Sequence, residues 1–122
     1  MEIKGEAKLL RIFISNTDQL KHTPLYEAIV FAAKRYGLAG ATVLKGAMGY
    51  GSSSVIRSMK LWELTEKIPI VIEIVDEAGK IDAFTEKILP WFDKLRSGCL
   101  ITVEKAHILL NKQGIKKGFF SI

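Results

Sequence analysis

Along residues 7–15, AKLLRIFIS, apolar side chains occupy both phases of a two-residue repeat. Leu10, Ile12 and Ile14 share one side; Leu9 and Phe13 share the other, with Arg11 between them. This predicts a central strand with one face covered and the other partly wetted. The period then lengthens. Leu25, Ile29, Ala32 and Ala33 recur at helical spacing, with Thr23 as a cap, Pro24 at the first helical position and Glu27 in the first turns. Lys34 and Arg35 suit the last turn, and Gly37 stops the helix. A strand follows from near Ala41, with Thr42, Val43 and Leu44 its strongest formers. The stretch SSSVIRSMKLWELTEKI is polar and then weakly amphipathic, and it leads into an emphatic strand, IPIVIEIVD, over Ile68–Asp76. Asp76, Glu77, Ala78 and Gly79 read as a turn. Beyond it Ile81, Phe84, Ile88, Phe92 and Leu95 mark a helix that Pro90 kinks or restarts, because proline removes a backbone donor and crowds the preceding turn. Ser97 and Gly98 close this helix, and CLITVEKA (Cys99–Ala106) is the last long strand.

The order β-α-β-β-α-β, without repeats or a linker, predicts an α+β fold of the ferredoxin-like kind, with both helices on one face of an antiparallel sheet. One domain spans 1–122: a core over about 7–106, a loop over about 51–67 and a C-terminal extension from 107. In that extension His107–Leu110 can add a short edge strand, and Phe119 and Phe120 can pack on a neighbouring subunit or stay disordered. Strands apolar on both faces leave an open sheet face that other subunits must cover, so an oligomer is expected. Arg11 on that face needs a partner, which Glu73 or Glu104 can supply. Trp62 and Trp91 are expected to pack rather than to bind a base.

Composition is that of an ordinary globular domain, 48% hydrophobic and 25% charged. The apolar runs fall short of the roughly 18–20 residues that cross a bilayer, and MEIKGEAK lacks a signal core, so a cytoplasmic protein that is not membrane-embedded is expected. A single cysteine, Cys99, cannot form an internal disulfide and, opening an apolar run, reads as a buried structural thiol. The net charge of +5 permits an anionic partner without requiring one, and the cations are dispersed except in the tail.

Half of the ten glycines, at 37, 40, 46, 49 and 51, crowd around the second strand. Glycine weakens regular structure, so such density suggests a sharp turn or a close approach to the backbone. The stretch GLAGATVLKGAMGYG resembles the second-strand signature of PII-like signal-transduction proteins, a G-x-x-G-x-T-V start followed by G-F-G at the base of a long loop. The matching positions are Gly37, Gly40, Thr42, Val43, Gly49, Tyr50 and Gly51. PLYEAIV, GATVLKG and the strand ending in VD resemble an uncharacterised PII-like branch, and the resemblance runs to about residue 106.

The resemblance implies a homotrimer whose sheets face inward and whose inter-subunit clefts bind an adenine nucleotide, ADP or ATP. It implies a loop that docks on a transporter, channel or enzyme. Carried over position by position, the nucleotide would meet Thr42, Lys45, Gly46, Gly49, Tyr50, Gly51 and Arg57. Where related proteins have a Gly- and Lys-rich phosphate loop, this chain has LRSGC, leaving Arg96, Ser97 and Gly98 as substitutes. The paired arginines after the last strand are replaced by Lys105 alone, and no tyrosine follows Tyr50 in the loop.

Catalysis finds little foothold. His22 and His107 stand in no metal-ligand spacing with Cys99 or a carboxylate pair, and no GxSxG elbow surrounds Ser52–Ser54. A non-enzyme is expected, without obligatory cofactor or metal. A divalent-cation-binding tolerance-type trimer of the same superfamily would need clustered His, Cys or carboxylates. An RNA-binding module of the same topology would stack bases on central-strand aromatics, of which only Phe13 is present.

Overall fold

The computed structural model describes residues 6–51, 57–58 and 67–115, the pair 57–58 by its backbone alone. Most of the expected loop, with Trp62, and the residues Phe119 and Phe120 lie outside the described residues. Strand β1 (Ala7–Ser15) is followed by a small hairpin, β2 (Gln19–Leu20) and β3 (Thr23–Pro24), and by helix α1 (Leu25–Arg35). Then come β4 (Thr42–Lys45), β5 (Met48–Gly49), β6 (Arg57–Ser58) and β7 (Pro69–Glu77). Helix α2 (Ala78–Ile88) runs into a 3-10 turn over Leu89–Phe92, and β8 (Leu100–Ala106) closes the sheet. The main sheet has the order β4-β7-β1-β8, antiparallel throughout, which is the ferredoxin-like arrangement.

Alternation on the central strands sorts the two faces. Leu10, Ile12 and Ile14 from β1 and Ile70, Ile72 and Ile74 from β7 meet Leu25, Ile29, Ile81, Phe84 and Ile88 from the helices in one buried core. Burying each large apolar side chain contributes about 1.5–3 kcal/mol relative to leaving it in water. Lys8, on the helix side of β1, reaches Asp82 of α2 at 2.7 Å. Trp91 packs against the same core.

Several boundaries depart from the sequence reading. Pro24, rather than Thr23, occupies the cap position of α1; Thr23 pairs with Leu20 in the β2–β3 hairpin. Lys21 and His22 both have positive φ there, 52° and 80°, the geometry of a type I′ turn. Asp76 and Glu77 extend β7 instead of turning, and Ala78 starts α2 at once. Asp76 is fully buried because its carboxylate accepts the N–H groups of Ala39 at 2.8 Å and Glu77 at 2.7 Å. Residues 107–115 add no edge strand.

Among the described residues, no helix covers the opposite sheet face. Arg11 spans it, donating from Nε to Glu73 at 2.9 Å and from Nη1 to Glu104 at 2.7 Å, the partners its position demanded. Glu73 foremost, then Glu104, strengthens the guanidinium's hold on its proton. Around this cluster Phe13, Leu44, Val75 and Leu100 are exposed.

Candidate functional site

The chain between β4 and β7 is shaped by contact with Pro69. The Gly46 N–H donates to the Pro69 carbonyl at 2.8 Å, and a Cβ on Gly46 would stand 2.9 Å from Pro69 Cγ. Only glycine passes there without displacing the ring. Gly49 lies farther out, its would-be Cβ 3.4 Å from the same carbon, and pairs with Arg57 across β5 and β6. Gly51 has open space around it.

Beside this segment lies a cleft of about 660 Å³. One wall runs through Gly46, Met48, Gly49, Tyr50 and Gly51; the other is the loop Arg96, Ser97, Gly98 and Cys99 that precedes β8. The floor is the end of the uncovered sheet face, Phe13, Val71 and Leu100, and Lys67 and Ser15 stand at its margins. Residues distant in sequence thus share one concave surface: Gly46, Gly49, Tyr50 and Gly51 with Arg96 and Gly98.

Other candidates lie elsewhere. Thr42 lies on the same open face as the cleft floor but farther along it, opposite Glu73, and Lys45 is exposed opposite Ile70; neither lines the cleft. Arg57 is placed by its backbone pairing with Gly49 and by nothing more. Lys67 was missed by sequence reading, being one lysine at the end of an amphipathic stretch. Its signal was its place two residues before Pro69.

Cys99 overturns the expectation of a buried thiol. It is exposed at the cleft, just ahead of β8, an edge strand whose own residues are mostly exposed. Partial desolvation first, and the nearby negative charge of Asp18 second, push its thiol pKa up. Asp18 itself is buried and accepts from Ser97 Oγ at 2.9 Å.

The cleft offers an apolar floor, two cationic side chains and glycine backbone. It suits a ligand with one flat apolar face and one anionic end. Among the described residues, no three His, Cys, Asp or Glu side chains gather as metal ligands, and no helix is long and apolar enough to cross a membrane.

The model of DUF190, a family described as "Uncharacterized ACR", matches residues 7–108. The chain belongs to the DUF190 family. A UPF0166 protein of Aquifex aeolicus is 40% identical over 102 residues, covering 84% of this chain and 92% of that protein. A UPF0166 protein of Methanocaldococcus jannaschii is 30% identical over 103 residues, with the same coverage. Among solved structures, the chain is similar to CPII from Thiomonas intermedia, a nitrogen regulatory PII-like protein bound to ADP, AMP and bicarbonate. That likeness has a TM-score of 0.56 at 16% identity, over 84% of this chain and 97% of CPII. A putative PII-like signaling protein from Thermus thermophilus matches with a TM-score of 0.56 at 21% identity, over 83% of this chain and 87% of that one. The resemblance read from the glycine-rich second strand is borne out: this DUF190 chain has the PII-like, ferredoxin-like fold.

Proposed function

We propose that this DUF190 protein is a non-catalytic regulator that binds an adenine nucleotide, ADP or ATP, in the glycine-lined cleft. The reading extends to a homotrimer whose neighbouring subunits complete the cleft, and to a partner protein (a transporter, channel or enzyme) addressed through the segment over about 51–67. One observation carries it. Glycines 46, 49 and 51 and the Arg96–Gly98 loop, separated by some fifty residues of sequence, face one another across an apolar floor. A base fits such a floor, while bare N–H groups and the cations Arg96 and Lys67 suit phosphates. CPII, of the same fold, has been crystallised with ADP and AMP, which supports the choice of ligand.

The oligomer follows from the open sheet face. Phe13, Leu44, Val75 and Leu100 are more than a third exposed in the single chain, and a second copy would cover them. Because Phe13 and Leu100 belong both to that face and to the cleft floor, subunit contact and ligand binding meet at the same residues. Titration calorimetry of the full chain with ADP, ATP and AMP tests the reading. Saturable heat with at least one of them is expected, and absence of heat with all three at millimolar concentration would remove it.

A further inference from the structure

The turn that ends β1 is tied both to the Arg96–Cys99 wall of the cleft and to the Lys67–Pro69 segment at its margin. On one side, Asn16 makes a reciprocal pair with Ile68: its N–H donates to the Ile68 carbonyl at 3.0 Å, and its Oδ1 accepts the Ile68 N–H at 2.7 Å. Ile68 lies between Lys67 and Pro69, all three on the cleft lining. On the other side, Asp18 is only 5% exposed. Its Oδ1 accepts Ser97 Oγ–H at 2.9 Å and its Oδ2 accepts the Ser15 N–H at 2.8 Å. The turn is itself anchored, since the Asp18 N–H donates to the Ser15 carbonyl at 3.1 Å and the Leu25 N–H donates to the Asp18 carbonyl at 2.8 Å. Ser97 stands between Arg96 and Gly98, the loop facing the glycines.

Apart from the Asn16 N–H bond to Ile68, which continues the β1–β7 register by one pair, these bonds stand outside the ladder of the sheet. A buried carboxylate is tolerable only where donors satisfy it, so Asp18 commits its two oxygens to fixed positions of Ser15 and Ser97. With Asn16 two residues away committed to Ile68, the turn becomes a rigid bracket. We propose that the Ser15–Asp18 turn is the positioning element of the cleft, setting the Ile68–Pro69 segment of its lining against the Arg96–Gly98 wall so that a displacement of one is felt at the other. Its consequence for ligand binding rests on the nucleotide reading; the mechanical link exists without ligand.

Hydrogen exchange of the ligand-free full chain, read by NMR, tests the link. The Ile68 amide is the reporter, taken as a ratio to Ile72 in the core of β7 so that a global loss of stability cancels. In Asp18→Ala the ratio is expected to fall about tenfold, although no hydrogen bond joins Asp18 to Ile68, because local opening near the turn becomes easier. Asp18→Asn should restore it to within about twofold, its amide oxygen accepting from Ser15 and its NH₂ donating to Ser97 Oγ. Ala32→Gly, in helix α1, should lower Ile68 and Ile72 protection together. An unchanged ratio in Asp18→Ala would overturn the proposal. Calorimetry with ADP separates the two readings: ADP affinity should weaken roughly fivefold in Asp18→Ala and recover in Asp18→Asn, as expected when a positioning contact is lost and regained. If the exchange ratio responds while the unaltered chain binds none of ADP, ATP and AMP, the link stands and the nucleotide reading falls. If ADP binds both forms equally and the ratio is unmoved, the link falls and the nucleotide reading stands.

Discussion

Gly46 and Gly51 have the same side chain for different physical reasons. Gly46 is forced by Pro69, whose Cγ would sit 2.9 Å from an added methyl group, whereas Gly51 has empty space where a methyl group would go. Gly46→Ala is therefore expected to destabilise the fold by about 1–3 kcal/mol in urea unfolding, an overpacking cost. Gly51→Ala should stay within about 0.5 kcal/mol, as surface substitutions do. Equal effects of the two would contradict the contact. The sequence made the glycines conspicuous but could not separate these roles, because Pro69 lies more than twenty residues away and meets Gly46 only through the sheet. Cys99 was misread for a similar reason: its apolar neighbours suggested burial, and the edge position of β8, which leaves most of that run exposed, decides otherwise. Asp18 raises the thiol pKa by its charge, so Asp18→Asn should lower it and speed alkylation by iodoacetamide near pH 8, where the thiolate fraction limits the rate. Desolvation, the larger cause, remains in that variant. A rate unchanged across the pH profile would show that the carboxylate does not act on the thiol.

At the scale of elements, α1 ends as its sequence announced. Gly37 has φ +78°, the Leu38 N–H reaches back to the Ala33 carbonyl at 3.0 Å and the Gly37 N–H to Lys34 at 3.1 Å, with Leu38 buried behind them. This is a Schellman stop, and it requires a left-handed residue. Gly37→Ala should cost about 1 kcal/mol, seen as a fall in melting temperature of roughly 4 °C; no change would mean that the helix end relaxes without penalty. Pro90 likewise acted as expected, converting α2 into a 3-10 turn from Leu89. The hairpin at Lys21–His22 was not legible, since both residues take positive φ without the Asn or Gly that usually signals such a turn. The start of α2 was also hidden. Asp76 looks like a turn residue, yet its partners, the backbone N–H groups of Ala39 and Glu77, make a buried strand position tolerable.

For the whole molecule, the two-sided apolar pattern of β1 and β7 was enough to foresee a sheet with one helix-covered face, and the Arg11 cluster with Glu73 and Glu104 followed from register. The cleft was legible only in part. Its glycines announced themselves, while Lys67 and the bracket at Asn16 and Asp18 are single polar residues whose meaning appears after folding. The open face predicts assembly. In sedimentation equilibrium the full chain should run as a trimer, and Leu44→Asp, which sets a charge in the row of Val71 and Phe13 on that face, should shift it toward monomer; a monomeric unaltered chain would contradict the burial argument. The most direct measurement is a crystal structure grown with ADP. The account predicts the diphosphate against the backbone of Gly49–Gly51 and the Arg96 guanidinium, with the adenine on the floor formed by Phe13, Val71 and Leu100. ADP bound elsewhere, or that cleft closed by the protein's own side chains, would contradict it.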